Sequence, residues 1–285
     1  MNGVLIIDKP KGITSRDVVN AIVKKFNTKK VGHTGTLDPI ATGVLVVCIG
    51  SATKLVDYLT SSDKEYIASV CLGTLTDTLD SDGNVLKEEN CFKTKEEIVN
   101  VLNSFKGKYL QEVPLYSAVK INGRKLYEYA RNNEQVVLPK REVEIKNIEL
   151  IDNVEYINNK TIFKFKCSVS KGTYIRSLIR DIAYKLNTIG IMTDLRRTRQ
   201  GNFDIENSVI LDEINENNIL SIKDILNIKN IELNSDIEKK VLNGAIIDNI
   251  YNSNEVLFIK DNKEIALYKG DSNKLKPYKM FRGGI

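Results

Sequence analysis

The chain has 285 residues, 42% of them hydrophobic and 28% charged, with a formal charge of +5; this is the make-up of a soluble globular protein with room for one large domain and a small one. No apolar run approaches the roughly 18 residues of a membrane span, and the start MNGVLIIDKP lacks the basic stretch and cleavage site of a signal peptide, so a cytoplasmic protein is expected. Four scattered cysteines without a CxxC pair read as reduced thiols, and a single histidine, His33, disfavours zinc hydrolases, two-histidine iron sites and Ser-His-Asp catalysis.

In chain order, GVLIIDKP reads as a buried strand stopped by Pro10. TSRDVVNAIVKKFN follows with helical spacing at Val18, Ile22 and Phe26 behind a Thr/Ser cap. GVLVVCIG (43–50) and YIASVCLG (66–73) are β-branched apolar runs closed by glycine, hence strands. TKEEIVNVLNSFKG opens on a Thr94/Glu97 capping box, and a helix is expected to run to Gly107. TIFKFKCSVS alternates, which puts Phe163, Phe165, Cys167 and Val169 on one face. TYIRSLIRDIAYKLN predicts a helix that buries Leu178, Ile182 and Leu186. Patterning lapses near residues 225–235, the expected boundary. Beyond it, EVLFIKDNKEIALYKGD predicts a hairpin turning at Asp261-Asn262, and KLKPYKMFRGG a basic tail. Strands and helices are interspersed without a regular βαβ repeat, so the expected class is α+β with a mixed, mainly antiparallel sheet.

One stretch stands apart. GHTGTLDPIATGVL, from Gly32 to Leu45, sets a histidine and an aspartate among residues with little side chain. Glycine frees the backbone there, and Asp38-Pro39 restrains it. Such a thin loop suits the close approach of something large to the Asp38 carboxylate; an ordinary Gly-rich turn is the alternative. Charge is also unevenly spread. Residues 161–200 hold nine Lys/Arg against two acids, whereas residues 201–250 hold four Lys against ten Asp/Glu. The first segment reads as a polyanion-facing surface and the second as a solvated face.

No dinucleotide fingerprint or phosphate loop is present. TLDSDGNVLKEE (78–89) puts Asp80, Asp82 and Glu89 at calcium-loop positions around Gly83, but Thr78 stands where the first ligand belongs, so it reads as a polar turn. Asp38, His33 and the basic segment KGTYIR remain. Arg176 could pair with a carboxylate and keep it ionised, and Tyr66 and Tyr174 could present rings to a flat base. Together they suggest chemistry on a nucleic-acid base without a metal.

These residues resemble the bacterial tRNA pseudouridine-55 synthases. GVLIIDKPKGITS, GHTGTLDPIATGVL, DKEYIASVCLGTLTDTLDSDG, YSAVKINGRKLYEYAR, KGTYIRSLIRDI and LRRTRQG are similar to segments of that family in the same order, over residues 3 to about 201. The resemblance implies that Asp38 is the nucleophile that detaches uracil from ribose. It implies that Tyr66 stacks on the flipped base and helps remove its C5 proton, and that Arg176 pairs with the nucleophile. His33 then contacts the T-loop, Tyr174 and Leu195 line the uracil pocket, and Lys9-Pro10 is a structural motif beneath the site. Attack at C1′, attack at C6 and removal of a ribose proton all fit these residues.

The implied fold is a pseudouridine-synthase-like core over residues 1–230, followed by a small β-rich, PUA-like RNA-binding domain over 231–285. The implied substrate is the T-arm of tRNA, with no cofactor, no metal, no membrane and no protein partner, for a monomer. The C-terminal part matches the family weakly, and the chain begins directly at the first strand. Two rivals are weighed: the archaeal and eukaryotic branch, which works within a guide-RNA particle, and a non-catalytic RNA-binding protein. ATGVL and the short C-terminal region look bacterial, and intact Asp38, Tyr66 and Arg176 argue for catalysis.

Overall fold

Pro10 does end the first strand, Gly3–Lys9, in the computed structural model, which describes residues 1–281. The chain divides into two units. One holds Met1–Asp38, Val44–Ser61 and the chain from Ile205 on; the other holds Pro39–Gly43 and Ser62–Asp204.

In the first unit, Gly3–Lys9 runs parallel to Val209–Ile210 and beside Ala41–Ile49, whose later residues belong to this unit. Val31–His33 lies antiparallel to that strand, with His33 opposite Val47. Helix Ser15–Lys25 begins at a reciprocal cap: the Thr14 hydroxyl accepts from the Asp17 amide, and the Asp17 carboxylate accepts from the Thr14 amide. Such a cap contributes about 1 kcal/mol. The helix buries Val18, Val19 and Ile22.

A second sheet in this unit runs Lys229–Glu232, Glu255–Lys260, Lys263–Gly270, Lys274–Met280, Ile247–Asp248. Its hairpin turns where expected: Asp261 and Asn262 have φ of 49° and 59°, the left-handed pair that a two-residue type I′ turn requires. Val241, Val256, Phe258, Tyr268 and Leu275 form its core. The expected basic tail is instead the strand Lys274–Met280, because Leu275 packs into that core and pairs with Ile247 and Gly270. Arg282, Gly283 and Gly284 of that tail lie outside the described residues.

The second unit is built on a sheet ordered Ala41–Gly43, Gly190–Gln200, Lys64–Leu72, Lys160–Val169, Lys140–Leu150, Gly107–Glu112. The first pairing is parallel and the others antiparallel. The sheet is thus mixed and mainly antiparallel, in an α+β fold. Along Lys64–Leu72 every second residue is buried, and Phe163, Phe165, Cys167 and Val169 are buried as their alternation predicts. Helix Ile175–Lys185 packs on Gly190–Gln200. The Thr94-capped helix is shorter than expected, Lys95–Asn103. Ser104 donates its hydroxyl to the Val101 carbonyl at 2.6 Å, which occupies an acceptor that the next turn would need.

Candidate active site

The loop that carries Asp38 is fixed on both sides. Upstream, Lys9 is fully buried, and its ammonium donates to the carbonyls of Pro10 and Ile13 at 2.8 and 2.7 Å. Those bonds close the turn that leads to the capped helix, whose first residue is Ser15. The buried Ser15 hydroxyl accepts from the Leu37 amide at 2.8 Å and donates to the Leu37 carbonyl at 3.1 Å. The residue before Asp38 is therefore pinned by a side chain that the Lys9-Pro10 turn holds. Thr34 is also tied down, donating its amide to the Val46 carbonyl at 3.0 Å. His33 lies half-buried in the strand that enters the loop, and its Nδ1 accepts from the Gly35 amide at 3.4 Å.

Downstream, Pro39 leads into Ala41–Gly43, which pairs with the central strand. Ala41 lies opposite Leu195 and Gly43 opposite Arg197. On the other edge of that strand, Leu195 faces Ala68 and Arg197 faces Tyr66. Ala41 and Ala68 are thus two strand spacings, roughly 10 Å, apart. Gly43 makes this approach possible. Its φ is +100°, and a Cβ there would sit 2.2 Å from the Arg197 carbonyl oxygen. Tyr66 and Leu195 are buried diagonal neighbours on one face of the sheet, a separation of about 8 Å or less. A ring beside an aliphatic side chain makes a wall suited to a flat base.

Arg176 lies in the first turn of helix Ile175–Lys185 and is buried. Its guanidinium donates to the carbonyls of Thr78 and Tyr116 at 2.9 and 3.1 Å, and lies 3.7 Å from the Asp80 carboxylate. Asp80 accepts from the Thr78 hydroxyl at 2.5 Å and the Asp82 amide at 3.2 Å. Leu79 between them has φ of 65°, a conformation costly for a branched side chain that persists only where surrounding structure imposes it. Here Met192 donates to the Leu79 carbonyl and accepts from the Ser81 amide. Tyr174, half-buried, stands at the head of the same helix.

The expected positions therefore fall as follows. Asp38 and His33 lie in the first unit; Tyr66, Tyr174, Arg176 and Leu195 lie in the second. The charge run of residues 161–200 is not one exposed surface, for Arg176, Arg180 and Arg197 are buried. Arg197 is only 1% exposed, since it lies on the inner face beside Tyr66. Lys171 and Arg199 are exposed, though Arg199 lies 3.7 Å from Glu65. Lys64 is buried two residues before Tyr66; burial, aided by the charge of Arg197, lowers its pKa to about 8.

Asp80 is the residue whose distant partner the sequence does not show. TLDSDG forms the polar turn expected of it, and within that turn the Asp80 carboxylate is buried against Arg176 and Thr78. Nothing local in TLDSDG distinguishes it from its exposed neighbour Asp82; the partner lies about a hundred residues further along.

Comparison with known proteins gives the class, a pseudouridylate synthase, and the family. Residues 23–175 match the model of the TruB family pseudouridylate synthase N-terminal domain, and residues 176–227 that of the tRNA pseudouridylate synthase B C-terminal domain. The chain belongs to the TruB family of pseudouridylate synthases. It is 52% identical over 221 residues to tRNA pseudouridine synthase B of Clostridium tetani, covering 77% of this chain and 74% of that one. It is 42% identical over 288 residues to the Mesoplasma florum protein of the same name, covering 100% of this chain and 98% of that one. A chain in the structure of an H/ACA RNP bound to a substrate RNA containing 2′-deoxyuridine matches with a TM-score of 0.70 at 25% identity. That match covers 99% of this chain and 85% of the other.

Proposed function

We propose that this chain isomerises the T-loop uridine at position 55 of tRNA to pseudouridine. The observation that carries the reading is the register around the central strand. It puts Tyr66 and the residues just after Asp38 on opposite edges of Leu195–Arg197. A stacked uridine cannot meet a protein carboxylate within the folded T-loop, so the base must flip out, at a cost of a few kcal/mol. The reaction breaks the N1–C1′ bond and forms C5–C1′. C5 loses a proton and N1 gains one, so atoms and electrons balance without a cofactor.

In this reading Asp38 is the nucleophile, Arg176 keeps that carboxylate ionised, and Tyr66 stacks on the base and takes the C5 proton. Tyr174 and Leu195 line the uracil pocket, and His33 contacts the T-loop. Residues 1–230 act as the catalytic domain and 231–285 as a small PUA-like RNA-binding domain. The protein works in the cytoplasm as a monomer on the bare T-arm, without a protein partner. No described helix is long and apolar enough to cross a membrane.

Incubation of the pure chain with an unmodified tRNA transcript, followed by mass spectrometry of nuclease fragments, tests this. Pseudouridine at the T-loop uridine alone is expected. No product on bare transcript, with product only when a guide RNA is added, would favour the guide-RNA branch of the fold.

A further inference from the structure

Helix Ile175–Lys185 starts at Tyr174, yet the Tyr174 side chain supplies no cap. One buried side chain from a distant strand does this work. Gln111, 1% exposed, accepts from the Tyr174 amide through Oε1 at 2.8 Å. Its Nε2 donates to the Tyr174 carbonyl at 3.1 Å. That carbonyl also accepts the first helical bond, from Leu178 at 3.0 Å. Both backbone groups of Tyr174 are therefore held by one planar amide, as a neighbouring strand would hold them.

The orientation of that amide is set by a third bond. Its Nε2 also donates to the Tyr109 hydroxyl, at 2.6 Å. Burial, reinforced by the charge of Asp181, holds the Tyr109 phenol above its usual range, so it stays protonated. Asp181, whose charge acts on that phenol, is paired by Arg180 at 2.8 Å. With Nε2 turned toward the Tyr109 hydroxyl and the Tyr174 carbonyl, Oε1 is left for the Tyr174 amide. The same segment grips the rest of the first turn. Glu112 accepts from the Ser177 hydroxyl at 2.8 Å, and the Tyr116 carbonyl from Arg176 at 3.1 Å.

We infer that Gln111 is a positioning residue: its amide fixes the backbone at Tyr174 and so aims the Tyr174 ring and the Arg176 guanidinium from the helix start. The inference rests on the roles proposed above for those two residues. Gln111→Glu keeps the shape and one acceptor but loses both donors. Gln111→Met keeps the volume and loses all three bonds, so a folded variant is available if burying a carboxylate proves too costly.

Three readings on the full chain decide it: single-turnover rate at saturating tRNA transcript, tRNA affinity, and hydrogen exchange over residues 170–177. The expected result is a rate lowered about 100-fold, the scale of a misplacement near 1 Å, with affinity unchanged and faster exchange at Tyr174. Unchanged exchange would overturn the inference. So would a wild-type rate despite faster exchange, or a loss confined to affinity. A wild-type chain that makes no pseudouridine would sink the functional reading instead, while the exchange comparison still judges the hold of Gln111 on Tyr174.

Discussion

The Asp80 carboxylate lies 3.7 Å from the Arg176 guanidinium, and each side chain is 8% exposed. The guanidinium also donates to the carbonyls of Thr78 and Tyr116, and Asp80 sets a negative charge beside it. A buried cation without a counter-charge is costly; breaking such a pair typically costs about 3–5 kcal/mol.

Asp80→Asn should therefore lower stability and slow the reaction while leaving tRNA binding nearly intact. The shape and the bond from the Thr78 hydroxyl survive, but the charge opposite Arg176 does not. Stopped-flow or quench measurement of a single turnover, beside a tRNA titration, is the check. A variant with full rate would reduce Asp80 to a turn residue.

Local patterns were legible where one segment carried its own signal. The Thr14 and Thr94 caps, the alternation at Phe163–Val169 and the Asp261-Asn262 turn all follow from neighbours in sequence. The motif loop and Tyr66 could be singled out because their residue types were unusual for their surroundings. Asp80, Gln111 and Arg197 could not. Each owes its role to a partner far along the chain, brought near by strand register, and each looks locally like a turn acid, a strand polar or a surface cation. The Lys274–Met280 strand was missed for a related reason, since only its pairing partners reveal it.

Tyr66→Phe should separate stacking from proton transfer. The Phe ring keeps the face that a base would stack on, worth roughly 1–3 kcal/mol, while the hydroxyl is gone. Affinity should hold and release of the C5 hydrogen should fall steeply. Tritium release from C5-labelled uridine reads this directly. Wild-type release would restrict Tyr66 to packing.

Lys164, Lys171, Lys185 and Arg199 are the exposed basic residues of 161–200, and Lys171 and Arg199, which lie within KGTYIR and LRRTRQG, are the ones to test against phosphate. Each phosphate neutralised contributes about −0.9 to the slope of log affinity against log salt on a duplex. Lys171→Ala should flatten the slope by about one unit and raise KM with little change in kcat. Arg199→Ala should do less, because Glu65 and Asp204 already lie 3.7 and 4.0 Å from its guanidinium. Unchanged slopes in both would make the charge asymmetry a solubility feature.

Lys64 gives a pH signature of stability. Burial and Arg197 lower its pKa from 10.5 to about 8 in the folded chain. Below pH 8 the lysine is charged in both states and the cost of burying it is fully felt. Between about 8 and 10.5 the folded state has released a proton that the unfolded chain still binds, so stability rises with pH. Denaturant midpoints of the wild type should therefore climb relative to Lys64→Met across that window. Parallel curves would mean that Lys64 stays charged when folded.

The central claim is that Asp38 carries the chemistry rather than the binding. Asp38→Asn is nearly isosteric, yet an amide cannot act as a nucleophile. The decisive measurement is pseudouridine formed in one turnover on a tRNA transcript, with variant and wild type both saturated as judged by a parallel tRNA titration. The wild type should convert the T-loop uridine fully, and Asp38→Asn should form none at equal occupancy. Product from the Asn variant at a rate near wild type would contradict the account and remove Asp38 from its centre.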